Sequence, residues 1–256
     1  MVSSTSIISM TISAIGCFLF PIIMFIYFKK KEKITLKPVI VGIAVFFVFT
    51  QILEKLLHMF VIKNNLIPNP ILFSIYGALA AGIFEESGRF IAFKTVLKNN
   101  HEWKDGLAYG IGHGGIEAIL IGAITNIQYI TFSNLINNGS FDSVIGSKVP
   151  ASQIYQLKQL KEMLIQASAS NFIIGFAERI FSFGIHLALT MIVLYAIKYR
   201  KNIYLLIAIL VHALIDFPAA LYQMKIVNLF IAEGMIVIYF IISLIFLSKT
   251  KKIFKI

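Results

Sequence analysis

One cysteine, Cys17, is the whole thiol inventory of this chain of 256 residues. No intramolecular disulfide can form, and no cysteine-based metal motif exists. Charge is scarce as well: charged residues make up 14% and hydrophobic residues 58% of the sequence. Mean hydropathy is +0.85, which excludes an ordinary water-soluble domain. Acidic residues are the scarcest group, 12 against 23 Lys and Arg, leaving a net charge of +11. In a soluble chain that excess would suggest a nucleic-acid partner. Here the basic residues fall between apolar runs, so we read them as a topology signal and an attraction to anionic lipid, with no nucleic acid involved. Internal repeats, low-complexity tracts and a second domain are absent too, and the expectation is a single integral membrane domain over 1–256.

What the chain has in quantity is long apolar segments. Seven can be read, at about 6–28, 38–62, 70–97, 106–132, 171–197, 203–224 and 226–248, each long enough to cross roughly 30 Å of hydrocarbon as a helix. The expected fold is therefore all-α, a polytopic transmembrane bundle of about seven spans in the cell membrane. No basic residue precedes the first segment, whereas Lys29, Lys30, Lys31, Lys33 and Lys37 follow it, the reverse of a cleavable signal's charged start. With the N-terminus outside, the inner loops collect most of the lysines and arginines and the outer side only Lys63, Lys148, Lys158, Lys161 and Lys225, so the expected orientation is N-out, C-in. One long connection, 133–170, lies outside in this scheme. It carries Asn137-Asn138-Gly139 and Pro150, then Ile154, Leu157, Leu160 and Leu164 among polar residues, the pattern of an amphipathic helix. Such a helix either packs on the bundle or lies at the interface as a lid or substrate-binding element.

Against this apolar background the buried polar residues stand out. Glu85, Glu86 and Arg89 interrupt the third segment, where a charge at mid-membrane costs about 2.5–3.5 kcal/mol and is usually turned inward with a task. Arg89 lies at i+4 from Glu85 and i+3 from Glu86, so it can neutralise one carboxylate and leave the other for chemistry. His113 with Glu117, and His212 with Asp216, sit at i, i+4, where a carboxylate can fix the orientation and tautomer of an imidazole. Counted from the inner ends of their helices, Glu86, Arg89, His113, Glu117, His186, His212 and Asp216 fall within about 10 Å of one another in depth. A second group, Glu54, Lys55, Glu178, Arg179 and Glu233, lies nearer the outer face and is expected to pair off structurally. His58 and His101, near helix ends, are given no role. The glycines of Tyr109-Gly110-Ile111-Gly112-His113-Gly114-Gly115 clear space beside the histidine, either for a neighbouring helix or for a peptide backbone. Pro218 removes a backbone donor just beyond Asp216, which points to cavity water there.

This arrangement resembles the CAAX-protease and bacteriocin-processing (CPBP) superfamily of intramembrane proteases, and within it the YhfC-like branch. That superfamily has a paired-glutamate motif with a following arginine, an aromatic-x-x-x-His motif, a further histidine and a final His-x-x-x-Asn/Asp on successive core helices. Glu85-Glu86 with Arg89, Tyr109 with His113, His186, and His212 with Asp216 match these in order, over a core spanning 69–224. Two departures occur: Arg89 follows the pair after two residues rather than three, which rotates it by about 100°, and Tyr109 replaces the usual Phe. The resemblance implies an intramembrane endopeptidase acting on a membrane-embedded protein or peptide. It also implies that Glu85 or Glu86 with His113 activates water and that His212 with Asp216 binds or polarises the scissile carbonyl; by their helical spacing, Arg89 and Glu117 are expected to support these residues. Three histidines, His113, His186 and His212, could also hold Zn2+ with an open position for water. The motif His-Glu-x-x-His is absent, however, so a metal-free mechanism stays open. The competing reading is a membrane protein without proteolytic activity, either a proton-coupled transporter using the same groups as a relay or a catalytically silent scaffold or immunity protein. Transporters often carry inverted repeats and paired broken helices, and neither is visible here.

Overall fold

The computed structural model describes residues 1–150 and 153–254, and every regular element among them is helical. The helices are α1 (Ser4–Glu32), α2 (Leu36–Val45), α3 (Lys55–Lys63), α4 (Pro70–Lys94), α5 (Trp103–Glu117), α6 (Thr125–Asn137), α7 (Phe141–Val144), α8 (Ile154–Gln166), α9 (Ala169–Lys198), α10 (Ile203–Gln223) and α11 (Leu229–Ile253). A π-helical stretch, Phe46–Glu54, joins α2 to α3, and another, Ala118–Ile124, joins α5 to α6. Each pair thus forms one continuous rod. Such stretches widen a helix locally and often accompany functional sites; apolar periodicity gives no sign of them.

Six helical segments are long and apolar enough to cross a membrane: Ser4–Glu32, Leu36–Lys63, Trp103–Asn137, Ala169–Lys198, Ile203–Gln223 and Leu229–Ile253. These coincide with six of the seven apolar segments read from the sequence. The remaining one is α4, whose 25 residues include Glu85, Glu86 and Arg89 and which is not among the six. Its start is well defined, with Asn69 Oδ1 accepting from the amides of Ile71 and Leu72 and Pro70 in the first turn, as helix N-termini favour.

The chain divides into two compact units. The smaller comprises Met1–Phe20 and Glu117–Ile180. Its core gathers Val2, Met10, Leu164 and Phe172, with Tyr129, Phe132 and Leu160 packed against them. The apolar face of α8 is therefore spent on this unit through Leu160 and Leu164, the behaviour of a surface helix packed on a bundle. The connection after residue 132 is more helical than its polar residues suggest. Helix α6 continues through Ser133 and Asn134 to Asn137, whose side chain accepts from the Val2 amide at 2.7 Å and donates to the Val2 carbonyl at 3.0 Å. Asn137 thus ties down the chain terminus, and the turn comes at Gly139, with φ +77°.

The larger unit comprises Pro21–Ile116 and Phe181–Ile256. In it α4 packs closely on α10. Gly82 permits this approach, since a Cβ there would lie 2.6 Å from the Ile209 carbonyl oxygen. Ile185 and Leu189 of α9, Ile215 of α10 and Ile236 of α11 form an apolar cluster. The π-helical stretch packs on α4 as well, where Phe49 and Val45 fill the space over Gly88.

Candidate active site

Four helices of the larger unit, α4, α5, α9 and α10, each contribute polar side chains to one buried cluster. Glu85, Glu86, Arg89, His113, His186 and His212 are all buried, with Glu86, Arg89 and His113 fully so. Burying this much charge is tolerable only when it is paired and hydrogen-bonded. The pairing separates the two adjacent glutamates.

Glu86 is committed to Arg89. One guanidinium nitrogen, Nη1, donates to both carboxylate oxygens of Glu86 at 2.6 Å, and His212 Nδ1 lies 2.6 Å from Oε1. Both glutamates lie within helical reach of Arg89, at i+3 and i+4, and it is Glu86 that the guanidinium takes. The second guanidinium nitrogen, Nη2, lies 3.2 Å from His186 Nδ1. A guanidinium only donates, so that imidazole nitrogen accepts.

Glu85 faces imidazoles instead. Its Oε2 lies 2.8 Å from His113 Nε2, 3.8 Å from His186 Nδ1 and 4.0 Å from His212 Nε2. The rings are close, with centroids 5.0 Å apart for His113 and His186 and 5.5 Å for His186 and His212. Phe46 packs edge-on against His113 at 5.1 Å, and Tyr109 stacks on it at 6.0 Å. This aromatic and aliphatic surround holds the ring in one orientation.

The glycines around His113 serve helix packing. A Cβ on Gly112 would sit 2.0 Å from the Val39 carbonyl oxygen, and one on Gly42 would sit 2.3 Å from that of Tyr109. Thus α2 and α5 touch backbone to backbone directly beside the histidine. Gly114 admits Phe183 and His186 of α9 in the same way. Val39, Gly42 and Phe46 were missed from the sequence. An isolated glycine in the apolar run of α2 was the one available signal.

His212 joins the cluster through both ring nitrogens, Nδ1 to Glu86 and Nε2 to Asp216 Oδ2 at 3.3 Å. The expected i, i+4 pair is therefore formed, although the cross-helix contact to Glu86 is shorter. Asp216 is the accessible member, its side chain 40% exposed, and α10 runs on as helix through Pro218.

Glu117 keeps different company from the partner expected on its own helix. It belongs to the smaller unit, where Arg179 Nη1 donates to Glu117 Oε1 at 2.7 Å and Nη2 pairs with Glu178. The expected division into inner and outer layers does not hold for this pair, because a buried guanidinium takes the carboxylates within its reach whatever their helical register. His58, expected to have no role, bridges Glu54 and Tyr76, with Nε2 3.1 Å from Glu54 Oε1 and Nδ1 2.8 Å from the Tyr76 hydroxyl. His101 Nε2 donates to the Phe93 carbonyl at 3.0 Å, a structural contact.

Glu85, His113 and His186 offer ligand atoms that all lie within 4.8 Å of one another. Two imidazoles and a carboxylate form a donor set that suits a divalent ion such as zinc. His113 Nδ1 is also buried without a hydrogen-bond partner. These residues fit a metal ion. His212, expected as the third histidine ligand, is outside this group. Along α4, an apolar groove of about 740 Å³ is lined by Leu72, Tyr76, Leu79, Ile83 and Phe84, without a residue of the Glu85 cluster.

A family model described as "YhfC intramembrane metalloprotease" matches residues 16–237. The "Uncharacterized membrane protein YhfC" of Bacillus subtilis (strain 168) is 36% identical, with the alignment covering the whole of both chains. No solved structure matches. With six helices able to span a bilayer and a matching family model over most of its length, the chain is a multi-pass membrane protein and belongs to the YhfC intramembrane metalloprotease family.

Proposed function

We propose that this protein is an intramembrane endopeptidase of the cell membrane, with Glu85 at the centre of its chemistry. The observation that carries the reading is the different fate of two adjacent carboxylates. Glu86 is neutralised by Arg89, whereas Glu85 Oε2 faces His113, His186 and His212 at 2.8–4.0 Å. Peptide hydrolysis needs water relieved of a proton, a donor for the developing oxyanion and a proton for the leaving amine. Glu85 Oε2 and His113 Nε2 share one hydrogen bond and together can hold the proton taken from water. His212 Nε2 faces the accessible Asp216 and is the nitrogen best placed to turn toward a substrate carbonyl. Glu86 anchors the other side of that ring.

A metal ion, when bound by Glu85, His113 and His186, would supply Lewis acidity toward a carbonyl and toward a coordinated water. Binding would require His186 to present a lone pair now engaged by Arg89. In that state Glu85 is a ligand, and His212, flanked by Glu86 and Asp216, is the group left to move protons.

The substrate on this reading is a membrane-embedded peptide segment. The apolar groove along α4, the helix that carries Glu85, is its proposed docking surface. The helix α4 then forms a seventh crossing, since 25 residues rise about 37 Å, and the lysine distribution orients the bundle N-out, C-in. The helix placement and motif order also support the wider kinship with CPBP proteases.

Cleavage of candidate membrane substrates by reconstituted wild type, Glu85→Gln and Glu86→Gln, with metal analysis of each, tests the proposal. The expected result is no cleavage by Glu85→Gln in a folded protein. Retained metal in that variant assigns Glu85 as the base, and lost metal assigns it as a ligand. Full cleavage by Glu85→Gln would refute the reading, and proton flux in place of a cleavage product would favour the transporter.

A further inference from the structure

At the end of the larger unit where α9 stops and α10 begins, a second cavity of about 510 Å³ opens between α9, α10 and α11. Its walls include Tyr195, Tyr204, Ile207, Phe246, Ile253 and Phe254. Tyr195 packs edge-on against Tyr204 at 4.7 Å and against Phe254 at 6.4 Å, which makes one side of the cavity a rigid aromatic wall. None of its lining residues carries a formal charge.

The rim is different. Lys198 Nζ lies 5.2 Å from the centroid of the Phe254 ring, and Lys201 Nζ lies 5.9 Å from that of Tyr195. Both cations therefore stand over rings that line the cavity, within the range of cation–π attraction. Lys198 Nζ donates to the Phe254 carbonyl at 2.9 Å, which uses one of its three protons and leaves two. Arg200, exposed between the two lysines, is held at φ +55°. That left-handed position is cheapest for glycine, yet the chain spends it on a third cation. Among the described residues, Glu32 accepts from Lys251 at 2.7 Å, and Glu102 pairs with Lys104 at 2.8 Å while lying within electrostatic reach of Lys198.

An apolar slot in a membrane protein with a cluster of cations at its mouth is complementary to an amphiphile with an anionic head. We infer that this cavity is a binding site for one anionic phospholipid, an acyl chain between Tyr204, Ile207 and Phe246 and the phosphate on Lys198 and Lys201. Basic pockets between transmembrane helices bind lipid headgroups by this combination. A neutral phospholipid satisfies the slot but adds no net negative charge beside the cations. The site is independent of the peptidase reading, because none of the residues of the Glu85 cluster contributes to it.

The test is native mass spectrometry of the purified full-length protein with phosphatidylglycerol and with phosphatidylcholine of identical acyl chains. One phosphatidylglycerol should stay bound under activation that strips phosphatidylcholine, and inorganic phosphate should not displace it. Each juxtamembrane cation contributes about fivefold, so Lys198→Gln with Lys201→Gln should weaken retention about thirtyfold. Ile207→Trp, which fills the slot without touching the charges, should weaken it too. Lys29→Gln with Lys30→Gln, on exposed positions of α1, should leave it unchanged. Equal retention of the two lipids, an unaffected Lys198/Lys201 variant, an equal loss in the Lys29/Lys30 variant, displacement by phosphate, or a lipid-free dimer would overturn the site.

Discussion

Glu85 and Glu86 are neighbours in sequence, yet substitution should affect them in opposite ways. Glu86→Gln leaves the fully buried Arg89 without its carboxylate, and breaking a buried pair typically costs about 3–5 kcal/mol. The expected outcome is a protein that expresses poorly and unfolds early, measured by thermal unfolding in detergent. Glu85→Gln keeps the shape and a hydrogen-bonding oxygen toward the histidines. On the proposed function it should fold normally and lose cleavage by about 10²- to 10⁴-fold, the usual worth of general acid–base catalysis. His113→Ala should be comparably inactive, whereas His101→Ala should leave cleavage unchanged, since His101 contacts the Phe93 carbonyl and ring and no residue of the cluster. Unfolding of both glutamine variants alike would show that Glu85 is as structural as Glu86.

At the scale of helices, the contact between α2 and α5 is the most demanding. Gly112→Ala would place a methyl group 2.0 Å from the Val39 carbonyl oxygen, and neither backbone can yield without moving its helix. Overpacking of this kind typically costs about 1–3 kcal/mol, and here it also shifts His113, the next residue. Gly77 offers the control, since a Cβ there meets nothing within 4 Å. Gly77→Ala should be neutral or stabilising by up to about 1 kcal/mol through helix propensity alone. Paired thermal melts of the two variants check this, and equal melting temperatures would contradict the tight crossing. The π-helical stretch of α2 belongs to the same scale. It carries Phe46 to His113 and Phe49 to Gly88, so it shapes the cluster through apolar side chains alone.

For the whole molecule, the proposed N-out, C-in arrangement with α4 as the seventh crossing makes a direct prediction. In a variant lacking Cys17, a cysteine introduced at position 254 should be labelled by an impermeant reagent only after the cells are opened. A cysteine at position 3 should be labelled in intact cells. Labelling of position 254 from outside would invert the orientation.

The sequence alone determined that the chain is helical and membrane-spanning, because twenty-residue apolar runs have few other stable fates. It also determined which side chains were worth following, because Glu85, Glu86, Arg89, His113, His186 and His212 are too costly to bury idly. Periodicity showed which residues share a face of one helix, and so it anticipated His212 with Asp216 and Arg89 with one of the two glutamates. It could not anticipate contacts between helices. Only the tertiary structure joined His113 to Glu85 rather than to Glu117, sent Glu117 to Arg179, and gave Glu86 rather than Glu85 to the arginine. The physical reason is that a buried charge pairs with whatever the packing brings within about 3 Å, and that packing depends on glycines, π-helical widening and helix crossings that leave little periodic trace.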